Sequence, residues 1–121
     1  MQEAFPEMQT EIKKAQRYTQ QGELIKAETI YHELLDQQKN YAPALYGLAE
    51  LADKINDQEV RGDFLRRAIV EVEDSDDRVR KGLAAIWLTE QAEALIKLNR
   101  QNDAKECIAK SERIIKENLI D

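Results

Sequence analysis

Residues 15–35 read AQRYTQQGELIKAETIYHELL, and the fold follows from how that stretch divides. Ala15 and Tyr18 stand on one side of Gly22; Leu24, Ala27, Tyr31, Leu34 and Leu35 stand on the other. Both sets recur at intervals of three and four, the spacing of one helix face. A single glycine between two such faces leaves too little chain for anything except an antiparallel return. The same stretch holds HELLD at 32–36, one substitution short of the H-E-x-x-H helix of zinc proteases, with Asp36 in place of the second histidine. His32 and Asp36, four apart, would share a helix face and could both touch a metal. The alternative is the wet side of a packing helix.

Working outward, the same spacing continues to both ends, and alternation by two never persists. A first segment carries Phe5, Met8, Ile12, Ala15 and Tyr18; the second ends in the polar run DQQKN. A third begins near Pro43, tolerated in a first helical turn, and runs through Leu45, Leu48, Ala49 and Ala52 to Ile55. The fourth carries Val60, Phe64, Leu65, Ala68, Ile69 and Val72. The fifth is expected to start with Ser75 as N-cap and to continue through Leu83, Trp87 and Leu95 to Leu98. The sixth carries Ala104, Cys107, Ile108, Ile114 and Ile115. The charged run EVEDSDDRVRK, from Glu71 to Lys81, changes sign midway and reads as a helix junction.

Six helices joined by tight turns invite a search for internal repeats. Ala15, Tyr18, Gly22, Ala27, Tyr31 and Leu34 occupy the small, aromatic, turn, small, aromatic and large positions of the tetratricopeptide repeat, which that stretch resembles. With Met8 as first position, a second repeat begins at Ala42, where NYAPALYGLA is similar to a repeat junction. Leu45, Leu48 and Ala49 then take the large, large and small positions, Asn56-Asp57 replaces the turn Gly-Asp, and Leu65 and Ala68 take the packing positions of the second helix. A third repeat fits after a shift of nine residues, from Ala85, with Leu88, Ala92, Leu95, Asn99 and Ala104. Segments four and five are expected to absorb the shift as longer helices. Lys39 replaces the usual helix-ending proline, and Arg61 stands where an alanine is usual, so the second pair is expected to pack less closely. The resemblance implies an all-α solenoid of antiparallel helix pairs in a single domain, 1–121. Its repeats fall at about 8–41, 42–75 and 85–118.

Composition bounds the function. The 121 residues are 42% hydrophobic and 35% charged, with four glycines and two prolines, which suits a helical domain with a modest core. Eighteen basic and 24 acidic residues leave a net charge of −6, which opposes phosphate-mediated nucleic-acid binding. No apolar run approaches the roughly 20 residues of a membrane span. The N-terminus lacks signal-peptide order, and one cysteine excludes an internal disulfide. Together these point to a cytoplasmic, soluble domain that contacts neither nucleic acid nor membrane.

Chemistry finds little purchase. His32 is the only histidine and Cys107 the only cysteine, so a catalytic zinc would lack its usual ligands, and neither thiol nor serine has an activating partner. Gly22, Gly47, Gly62 and Gly82 stand alone, without a phosphate loop. No catalytic, cofactor or metal residue is assigned. In the repeat frame Tyr31, Leu34 and Leu35 point inward, leaving His32, Glu33 and Asp36 to solvent. Cys107 reads as a buried structural thiol and Trp87 as core or groove wall.

What the resemblance implies is a concave groove lined by the first helix of each pair, taking a peptide or a partner helix. Position by position that nominates Gln9, Ile12, Gln16 and Thr19, then Tyr46, Glu50 and Asp53, then Ile86, Thr89, Glu93 and Lys97. Their carboxylates favour a partner carrying basic residues. The lysine, asparagine and arginine clamp that some family members use on acidic tails is absent: its places hold Ile12, Gln16, Gly47, Ile86 and Glu90. The expected function is a non-enzymatic adaptor or scaffold. The alternative is a self-associating structural module, a homodimer through the C-terminal helix carrying Ile108, Ile114, Ile115, Leu119 and Ile120, or a domain excised from a larger protein.

Overall fold

The structure, a computed structural model, describes residues 6–119. Phe5 and Ile120, both expected on apolar faces, lie outside the described residues, as does the side chain of Leu119. Within them the chain is all-helical: α1 (Pro6–Gln20), α2 (Leu24–Gln37), α3 (Ala42–Lys54), α4 (Gln58–Val72), α5 (Arg78–Lys97) and α6 (Gln101–Ile114), the last running into a π-helical turn, Ile115–Leu119. Each helix packs on its neighbours in sequence; α1 also reaches α3, and the π-helical turn reaches α5.

Three turns have one geometry. Gly22, Asn56 and Asn99 adopt left-handed φ values of 81°, 58° and 62°, which glycine and asparagine tolerate best. After each, a backbone N–H reaches back five residues: Glu23 to the Tyr18 carbonyl at 2.9 Å, Asp57 to Ala52 at 2.8 Å and Arg100 to Leu95 at 2.8 Å. This is the hydrogen bond that closes a helix end when the next residue reverses the chain. Gly22 and Asn56 are 34 residues apart, Asn56 and Asn99 are 43. The extra length sits in α5, with 20 residues against 13 in α3, and not in α4, which has 15.

The start of α5 corrects one expectation. Asp77, not Ser75, is the N-cap: its carboxylate accepts from Val79 N at 2.8 Å, while Ser75 Oγ accepts from Asp77 N at 3.1 Å. A carboxylate caps at least as well as a hydroxyl and adds charge opposite the helix dipole. The basic half of the junction ties back to α4, Arg80 donating to Glu71 O at 2.8 Å and Lys81 to Glu73 O at 3.3 Å. Cations thereby meet the carbonyl end of α4, where they are favoured.

The core runs along the chain. Met8, Ile12, Ala15, Ala27, Tyr31, Leu34 and Leu48 join α1, α2 and α3. Leu45, Ala49, Leu65, Ala68, Ile69, Trp87 and Leu88 join α3, α4 and α5. Leu35 and Phe64 touch both clusters, and Ala92, Leu95 and Ala104 join α5 to α6. Ser111, almost fully buried, donates to Ala85 O at 2.8 Å and fixes α6 on α5. Alanines at the contacts let backbones approach. Close packing of α3 on α4 through Leu45, Ala49, Leu65 and Ala68 corrects the looser pair expected from Arg61. That arginine is accommodated because its long side chain leaves the helix contact and reaches a polar site.

Candidate functional site

Residues from α3, α4 and α5 converge on one polar site. The Tyr46 ring stacks on Trp87, centroids 5.1 Å apart and planes 15° from parallel. Its hydroxyl donates to Glu90, 2.9 and 3.1 Å from the two carboxylate oxygens. Burial first, then Glu90 and Glu50, push the Tyr46 phenol far up, so it stays a donor. Trp87 is buried among the α3–α5 core and forms the floor beneath Tyr46.

Arg61 of α4 organises the rest. It is only 5% exposed, so its charge must be matched within the protein. Its guanidinium lies 2.8 Å from Glu93 Oε1, 3.8 Å from Glu90 Oε1 and 3.5 Å from Asp53 Oδ1. It also donates to Gln58 Oε1 at 3.1 Å. The buried Gln58 amide donates in turn to Asp53 Oδ1 and Asn56 Oδ1, both at 3.0 Å. Gln58, with burial opposing and Arg61, Lys97 and Lys54 assisting, holds the Asp53 carboxyl below its ordinary range. Lys97 Nζ completes the set at 3.9 Å from Asp53.

Beside this site, between α1 and α3, a cleft of about 380 Å³ is lined by Gln16, Thr19, Gln20, Glu50 and Lys54. Glu50 is half-buried, and burial and the nearby Glu90 raise its carboxyl above the ordinary value, with Lys54 offsetting in part. Below it, the Tyr31 phenol is raised by burial and by Glu50, and a hydrogen bond with Thr19 works against that.

Of the residues nominated from sequence, Tyr46, Asp53, Glu93 and Lys97 meet in the Arg61 site. Gln16, Thr19 and Glu50 meet in the adjoining cleft. Gln9 is exposed on the first turns of α1, and Thr89 is exposed with its hydroxyl donating to Ile86 O at 2.6 Å. Ile12 is 8% exposed and belongs to the α1–α3 core. Thr19 is at least as buried, its hydroxyl donating to Ala15 O at 2.9 Å. His32, Glu33 and Asp36 are exposed, and no group of three metal-binding side chains occurs among the described residues.

Sequence reasoning passed over Arg61 as the organiser and Glu90 as its partner. The signal was present: a cation at a contact position otherwise held by alanine must find carboxylates. A second surface also went unread. Ile25, Ile55 and Val60 are exposed around a cleft of about 270 Å³ with Phe64. Cys107, expected to be buried, is half-buried beside Gln91, 3.4 Å from its Oε1, with its thiol raised by burial. No described helix is long and apolar enough to cross a membrane. Comparison with protein-family models, with curated proteins and with solved structures yields no match.

Proposed function

We propose that the chain is a non-enzymatic adaptor of the tetratricopeptide type, a helix-pair solenoid holding a peptide or protein segment along the face formed by α1, α3 and α5. The observation that carries this reading is the convergence of Gln16, Tyr46, Glu50, Asp53, Glu93 and Lys97 along that one face. The repeat frame supports it: three turns share one hydrogen bond at intervals of 34 and 43 residues, and Ala15, Ala49 and Ala92 occupy the same repeat position, all buried. Repeated helix pairs bury their apolar faces on each other and leave an extended surface for a partner. A partner carrying basic residues fits the surplus of carboxylates.

The test compares affinity capture by the wild-type chain with that by a Gln16→Ala, Tyr46→Ala, Glu50→Ala triple variant of unchanged helical spectrum. Partner recovery falls if the face is the groove; unchanged recovery overturns the assignment.

Self-association is the second reading, favoured by Ile108 and Ile115, each more than a third exposed on the last elements. Light scattering after size exclusion decides it. A concentration-independent monomer removes self-association and leaves the groove reading intact.

A further inference from the structure

The carboxylates of the proposed groove do not share one state. Asp53 accepts from Gln58 and pairs with Arg61 and Lys97; Glu90 accepts from Tyr46; Glu93 pairs with Arg61. At each of these the charge is already offset by a cation or a donor of the protein, so a cationic ligand gains less there than at a carboxylate without a partner. Glu50 differs. It has no hydrogen-bond or ion-pair partner among the described residues, it is half-buried, and it opens on the cleft between α1 and α3. A donor arriving there gains a charge-assisted hydrogen bond and breaks none.

Resting on the groove reading above, we infer that Glu50 receives a lysine or arginine side chain of the partner in the α1–α3 half of the groove, while the Arg61-filled α3–α5 half selects no charge. Tyr46, one helical turn before Glu50 and held flat against Trp87, offers its outer face to the stem or guanidinium plane of that side chain. An acidic side chain entering the α1–α3 half meets the unpartnered Glu50 carboxylate and is repelled.

The experiment selects a random peptide library, displayed on phage, against the immobilised full chain, then titrates one enriched peptide by fluorescence anisotropy. Enriched peptides should share a lysine or arginine. Glu50→Gln should weaken the synthetic peptide about tenfold, and so should norleucine or citrulline in place of its basic residue, with little further loss on combining the two. Asp53→Asn and Glu93→Gln should each weaken binding less than Glu50→Gln does, and Asp36→Asn, exposed on α2 outside the groove, should change affinity by less than about twofold. Glu50→Asp, which keeps the charge but withdraws it, should fall between. Basic enrichment that survives Glu50→Gln, or a loss shared equally by Glu93→Gln, overturns the inference. Peptides that lack a basic residue yet lose binding in Tyr46→Ala overturn it while the groove reading stands. If no peptide is enriched, both fall.

Discussion

The ring of Tyr31 lies across Gly47 so closely that a Cβ on residue 47 would overlap its Cζ and Cε1 atoms. Here α2 meets α3 with no side chain between ring and backbone. Gly47→Ala is therefore expected to cost about 1–3 kcal/mol, read by urea denaturation. Gly62, also helical, has nothing within 4 Å of the same atom, so Gly62→Ala should stabilise by about 0.5–1 kcal/mol. Combining Gly47→Ala with Tyr31→Leu should cost less than the two separately. Additive losses would mean that the ring is not the obstacle.

Arg61 carries the second prediction. Its partners Asp53, Glu90 and Glu93 keep 42%, 29% and 56% of their side-chain surface, so water can take them back when the guanidinium goes. Arg61→Ala is expected to lose about 2–3 kcal/mol, mostly from the void left by its stem. Arg61→Met should lose less than about 1.5 kcal/mol. Equal losses would show that the charge, not the stem, holds α3 to α5.

The third concerns pH. Burial raises the Glu50 carboxyl above its ordinary 4.5, so the folded chain holds that proton more tightly than the unfolded one. The ionised form then costs stability at neutral pH, and acidification through the raised value relieves the cost. The groups facing it are Glu90 from α5, Tyr31 from α2, Lys54 on its own helix and the neutral Gln16 and Gln20 of α1. Glu50→Gln should therefore melt higher than wild type at pH 7, with the gap closing below pH 4.5. Asp53 has the opposite sign: its carboxyl is held below 3.8, so Asp53→Asn should melt lower at pH 7 and the gap should close as pH falls through that depressed value. Melting curves at pH 7, 4 and 3 check both.

The fourth tests the turns. Asn99 holds a left-handed φ of 62° and makes no side-chain hydrogen bond among the described residues, so Asn99→Gly should stabilise by about 0.5–1 kcal/mol. Asn56 holds φ 58° but accepts from Gln58. Asn56→Gly should gain the backbone freedom and lose that bond, for a net change within about 0.5 kcal/mol. A gain of similar size at both sites would show that the Gln58 contact contributes nothing.

Helix existence and order were legible from apolar spacing, because a face repeating at three and four can bury itself only as a helix. Gly22, Asn56 and Asn99 were legible as turn residues for the same local reason. The Arg61 site was not, since Asp53, Gln58, Glu90 and Glu93 meet through tertiary packing that spacing along one helix does not encode. Ser75 and Asp77 show the local limit: two good capping residues stand two apart, and only the path of the chain chooses between them. Tyr46, Glu50 and Lys97 could be assigned to one face from the repeat frame. Which of the neighbouring carboxylates would be claimed by the protein itself could not.

The 20 residues of α5 against the 13 of α3 amount to about two further turns. That overhang, near 10 Å by helical rise, makes the three pairs unequal as building units. A duplicate of residues 8–41, spliced ahead of Ala42, keeps the 34-residue interval between Gly22 and the following turn. A duplicate of the last pair would carry the longer interval and its overhang into the middle of the chain. For an engineer lengthening this protein, residues 8–41 are the stretch that matches the Gly22–Asn56 interval, and the α5–α6 pair is the one that departs from it.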